Sequence, residues 1–169
     1  MKPMIALLLT VLLLVSLAPM AQAASTQTLF IIQRSINKNE VHYDARLDAG
    51  GKLDPSEPVE VYWLMLAEDG RREDLNWVER DEAYGFTIEA NPGEQSYRMS
   101  LKAEKNRPIR VYMDENMVRA EIAIDGQPSI LERIYIDTIE EFLRPKVQFV
   151  DLFGTVPKSG EKRTEKIVP

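Results

Sequence analysis

The chain has 169 residues, 44% of them hydrophobic and 28% charged, with a formal net charge of -6, a composition that fits one folded domain and excludes a disordered chain. With no cysteine it has no disulfide, thiol nucleophile, iron–sulfur centre or cysteine-based zinc site, and its single histidine excludes zinc sites built on two or three histidines within one chain. The acidic balance argues against binding a nucleic-acid backbone, which calls for a basic patch.

Residues 1–23 read as an export signal. Lys2 supplies a short positive region, Ile5 to Leu17 form an apolar run, and Ala21-Gln22-Ala23 is an A-x-A cleavage pattern. That run falls short of the ~20 apolar residues a bilayer span needs, and a lipid anchor would need a cysteine at the cleavage point. The expectation is an exported protein, periplasmic or secreted, with no transmembrane segment after cleavage; the alternative is an uncleaved anchor. Cleavage after Ala23 removes one lysine and leaves 20 basic against 27 acidic residues.

From Thr28 to about Phe153 the pattern is period-two alternation between turn signals. Leu29 to Ile36 and Glu40 to Leu47 are predicted strands around Asn37-Lys38-Asn39. Val59, Val61, Trp63 and Met65 alternate with Glu60, Tyr62, Leu64 and Leu66, so both faces are largely apolar, as in a central strand. The loop Asp48 to Pro58 precedes it; Asp48-Ala49-Gly50-Gly51-Lys52-Leu53-Asp54 is faintly similar to a calcium loop, but its spacing fails the EF-hand pattern. Arg72 to Tyr84 breaks the alternation and reads as a short helix, stopped by Gly85 as a C′ glycine.

Phe86 to Ala90, Ser96 to Glu104, Ile109 to Met113 and Val118 to Asp125 are further predicted strands. Asp125-Gly126 is a tight turn, and Ile130, Ile134 and Ile136 lie on the returning strand. A second short helix is predicted at Thr138 to Leu143, before Pro145. Residues 154–169 carry four basic and two acidic residues and read as a disordered tail. The fold expected is mainly β, an antiparallel meander closing as a barrel-like or sandwich domain over residues 24–153, with one or two short helices.

No GxSxG elbow, P-loop, GxGxxG or HExxH occurs, so neither an α/β-hydrolase, a nucleotide-binding enzyme nor an HExxH metalloprotease is supported, and no cofactor or metal is expected. Carboxylate pairs remain available, but among 27 acidic residues the spacing selects none. His42, Asp44 and Arg46 share one face of their predicted strand, either as a titratable cluster or as a solvated strip. Tyr62 and Trp63, being adjacent, point to opposite faces.

The run Leu29-Phe30-Ile31-Ile32-Gln33-Arg34-Ser35-Ile36-Asn37-Lys38-Asn39-Glu40-Val41-His42-Tyr43-Asp44 resembles the opening motif of the DUF4833 family, exported domains of unknown function. Pro58-Val59-Glu60-Val61-Tyr62-Trp63 is similar to the family's P-V-x-V-Y-W, and Ala83-Tyr84-Gly85 to its A-Y-G. The resemblance covers Leu29 to Val150 and implies membership but no activity. Within those motifs Asn37 and Asn39 suit a tight hairpin with positive φ. Such a hairpin would make residues summing to ~76 to 78 face one another and would set Arg34 on the face of His42 and Asp44, where Arg34 and Asp44 could pair across the strands.

The function expected is a non-enzymatic binding module for a small or polymeric envelope ligand, with Arg34, His42, Asp44, Tyr62, Trp63 and Tyr84 as candidate ligand-binding residues. The alternatives are a structural or protein-interaction domain of the cell envelope and a carboxylate-type acid–base hydrolase. No nucleic-acid partner is expected, and the sequence leaves the oligomeric state open.

Overall fold

The computed structural model describes residues 25–139 and 146–169. The export signal expected over residues 1–23 lies outside the described residues. So does most of the second expected helix; its first two residues, Thr138 and Ile139, are strand.

The chain forms β1 (Ser25–Arg34), β2 (Glu40–Leu47), β3 (Val59–Leu64), β4 (Arg72–Asp74), β5 (Phe86–Ala90), β6 (Ser96–Leu101), β7 (Glu104–Asp114), β8 (Met117–Ile124), β9 (Gln127–Ile139), β10 (Lys146–Thr155) and β11 (Lys162–Ile167). Nine of them make one strongly curled sheet in the order β4-β3-β2-β1-β9-β8-β7-β6-β5, a half-barrel, and β10 and β11 extend it from β9. Every pairing is antiparallel except β1 with β9, which run parallel from Ile31↔Arg133 to Arg34↔Ile136. The expected mainly β, barrel-like fold forms, its meander divided into two antiparallel runs joined by one parallel seam. Strand β9 makes the join because β10 lies along one edge over residues 130–139 while β8 and then β1 share the other. Where β1 and β8 diverge, the Gln27 side-chain amide donates to the Val118 carbonyl and accepts from the Val118 N–H, at 2.7 and 2.9 Å, replacing the ladder.

Alternation delivers the core to the concave side. Phe30 and Ile32 of β1, Val41 and Tyr43 of β2, Val61 and Trp63 of β3, and Ile109 and Val111 of β7 are buried there. Phe30 stacks on Tyr43 at 4.4 Å, and the Tyr43 hydroxyl donates to the Tyr84 carbonyl, so this buried phenol is satisfied. Burial pushes the Tyr43 phenol far above its ordinary pKa.

Several local expectations change. Residues 72–84 are not one helix: β4 pairs with β3, and only residues 77–83 coil, in a turn of π type over Glu79–Ala83. Asn76 and Glu79 cap it reciprocally, each side chain accepting the other's backbone N–H at 3.0 Å. Gly85 is required for closeness, not for a left-handed φ, since a Cβ there would sit 1.7 Å from the Arg80 carbonyl oxygen. Asn37 and Asn39 act through their side chains: Asn37 Oδ1 accepts the Asn39 N–H and Asn39 Oδ1 the Ala67 N–H. Asp125 and Gly126 do adopt positive φ, 50° and 72°, in the turn between β8 and β9.

The expected disordered tail is ordered, with β11 paired to β10 from Val150↔Ile167 to Thr155↔Lys162. Its strand has little apolar surface to bury. It is held by the ladder and by ion pairs, among them Arg107–Glu165 at 2.6 Å and Lys162–Glu132 at 2.9 Å. Among the described residues, no helix is long and apolar enough to cross a membrane.

Candidate functional site: a cleft floored by Arg34

The register of β1 and β2 decides which candidate residues meet. Ile31 faces His42 and Gln33 faces Glu40, so paired numbers sum to 73, an odd number, and even residues of β1 share a face with odd residues of β2. A tight hairpin does not form because Ser35 stays with β9: its N–H reaches the Ile136 carbonyl at 3.0 Å and its hydroxyl accepts the Thr138 N–H at 3.0 Å. The loop lengthens, the register shifts, and Arg34 lies on the opposite face from His42 and Asp44. The expected Arg34–Asp44 pair therefore does not exist, and the six candidates fall into two groups of three.

On the convex face lie His42, Asp44 and Tyr62. His42 stacks on Tyr62 at 5.6 Å, and the Tyr62 hydroxyl donates to Asp44 Oδ2 at 2.8 Å. Desolvation, helped by that bond to Asp44, pushes the Tyr62 phenol up to about 12. Arg72 caps the Tyr62 ring at 3.7 Å and grips both carboxylate oxygens of Glu60. His42 Nε2 and the Gln33 amide both contact Glu40, and Arg133 donates to Gln33 Oε1. His42 Nε2, the Tyr62 hydroxyl and Asp44 Oδ2 are engaged within the sheet, while Asp44 Oδ1 is buried without a partner and Asp44, 4% exposed, presents almost no surface to a ligand.

Arg34, Trp63 and Tyr84 form the other group, at the end of the half-barrel where β1 leaves the sheet. Trp63 and Tyr84 are buried and meet edge to face at 5.2 Å. The Arg34 guanidinium lies over Trp63 at 4.6 Å and over Tyr84 at 5.8 Å. Burial raises the Tyr84 phenol, and the neighbouring Arg34 charge partly offsets this. Arg34 forms no ion pair among the described residues, and its Nε is buried without a hydrogen-bond partner.

A cleft of about 250 Å³ opens above it, lined by Arg34, Asn39, Trp63, Met65, Glu73, Asp74, Asn76 and Glu79. Glu73 faces Trp63 across the β3–β4 ladder and so shares its side. Glu79 is fixed by the Asn76 cap, and its charge is felt at Tyr84. The cleft is therefore dipolar, a cation on an aromatic floor with carboxylates on the rim. Met65, Glu73, Asn76 and Glu79 were missed in the sequence, although the Asn-x-x-Glu spacing of 76 and 79 is a capping-box signal. A second depression, about 330 Å³, lies across β6 to β9, but its Arg110 is already paired with Glu94 at 3.3 Å.

The Asp48 loop has spent its carboxylate on its own turn, Asp48 Oδ1 accepting the Gly50 and Lys52 N–H groups. No group of three metal-ligating side chains occurs among the described residues. A family model described as "Domain of unknown function (DUF4833)" matches residues 30–166. No curated protein and no solved structure matches the chain.

Proposed function

Because the chain belongs to the DUF4833 family, a membership that brings no activity with it, we propose from the cleft alone that the protein is a non-enzymatic binding module of the cell envelope. It holds a small ligand, or the end of a polymeric one, by an anionic group at Arg34. The observation that carries this reading is the Arg34 guanidinium, half-buried, stacked on Trp63, with a buried Nε that has no partner. A partly desolvated cation costs free energy unless an anion completes it, and a planar guanidinium is suited to a carboxylate, phosphate or sulfonate. The envelope address rests on the export pattern of residues 1–23.

The test is native mass spectrometry of the protein purified from its own envelope, beside Arg34→Met, which keeps the aliphatic stem and removes the charge. An adduct retained by the unmodified protein and lost in the variant is expected. An adduct held equally by both sinks the reading.

One observation favours a protein-interaction reading: Trp77, beside the cleft-lining Asn76, is 74% exposed. A stoichiometric protein partner lost in Trp77→Ala but kept in Arg34→Met would establish that reading in place of the first.

A further inference from the structure

We infer that the ligand of this cleft is a zwitterion of about amino-acid to dipeptide size, its anionic group on Arg34 and its cationic group against Glu73 and Glu79. The inference rests on the binding reading above and adds the ligand's second charge and its size. The floor attracts an anion, but the way in passes a rim that is negative. A single guanidinium, Arg71, serves Glu68, Asp69 and Glu73 at 2.8, 3.2 and 2.7 Å, so that side keeps excess negative charge. Glu79, which also lines the cleft, makes no ion pair among the described residues and spends one oxygen on the Asn76 N–H.

A simple anion at Arg34 would face those carboxylates, and a simple cation at the rim would face Arg34. A molecule carrying both charges meets favourable fields at both ends. Trp63 and Met65 between them give a short apolar stem a place to lie. Ordinary ligand pockets run ~300–1,000 Å³, so a cleft of about 250 Å³ suits a small molecule.

The experiment titrates the full mature chain, followed by its tryptophan and tyrosine NMR signals, with unbranched ω-amino acids from glycine through β-alanine and γ-aminobutyrate to ε-aminohexanoate. The same set is run as N-acetyl derivatives, which lose the cation, and as amides, which lose the anion. One member of the free series is expected to bind at least about tenfold tighter than both of its blocked forms, the loss of one charge-assisted contact. Glu73→Gln with Glu79→Gln is expected to weaken that member by about tenfold while leaving its N-acetyl form unchanged, and glutamine at 79 keeps the capping bond.

An N-acetyl form binding as tightly as its parent would overturn the zwitterion and leave the anion site standing. Tightest binding by an amide, or no response from any probe, would overturn both.

Discussion

Asp44 is the one charged residue that is buried among the described residues, and its neighbours explain why it is tolerated. Tyr62 donates to one oxygen while the other is left without a partner, so the site stands one hydrogen bond from being fully unsatisfied. Tyr62→Phe is therefore expected to destabilise the fold by about 1–3 kcal/mol, measured by urea unfolding, with no change in ligand binding at Arg34. Tyr43→Phe strands the buried Tyr84 carbonyl on the core side and is expected to cost a similar 1–3 kcal/mol. Because the Tyr84 ring also lies under Arg34, this variant is expected to weaken binding as well, which ligand titration would show. The identity of these residues was legible as a motif. Their grouping was not, because parity within one strand says nothing about register against the next.

At the scale of elements, Gly85 and β11 carry opposite lessons. Gly85→Ala would drive a Cβ into the Arg80 carbonyl, at 1.7 Å if nothing moved, so the π turn that holds Glu79 has to shift. The expected cost is about 1–3 kcal/mol or more with loss of ligand binding, read by thermal unfolding and the same titration. Strand β11, Lys-Arg-Thr-Glu-Lys-Ile, has the composition of a solvated tail. It is a strand because β10 offers an edge and because Glu165 meets both Arg107 and the Asp125 N–H.

Ending the chain at Pro157 is expected to lower the unfolding temperature and to promote concentration-dependent self-association, seen by size-exclusion chromatography, since the edge of β10 would be bare. β10 itself was missed because Phe149 and Phe153 make its outer face apolar too, which hides the alternation.

Across the whole molecule, one group of side chains sets the alkaline limit. Tyr43, Tyr62, Tyr84 and Tyr112 all have raised folded-state pKa values, burial being the largest cause in each, so the fold favours their protonated forms. Their contribution is complete below the unfolded value of 10.0 and is lost as pH rises from there through about 12 for Tyr62. Stability is expected to fall steadily over that window, and less steeply in Tyr62→Phe; a flat profile would contradict the burial assigned to them. At the acid end Glu165, held low first by its hydrogen bond from Arg107, contributes stability above the usual glutamate range that is lost as pH falls below it.

What the sequence alone determined is the alternation: the strands at Glu40–Leu47 and Phe86–Ala90, the Asp125-Gly126 turn, the family and the absence of thiol and multi-histidine metal chemistry. These are local properties, set by period, turn stereochemistry and composition. Tertiary structure alone decided that β9 takes β1 as a parallel neighbour, because that pairing joins residues about a hundred positions apart and leaves no periodic trace. The same seam holds Ser35, shifts the β1–β2 register by an odd step and turns Arg34 away from Asp44 onto Trp63. A one-residue change of register exchanges the faces of a strand, so the candidate site depends on a contact that no local pattern encodes.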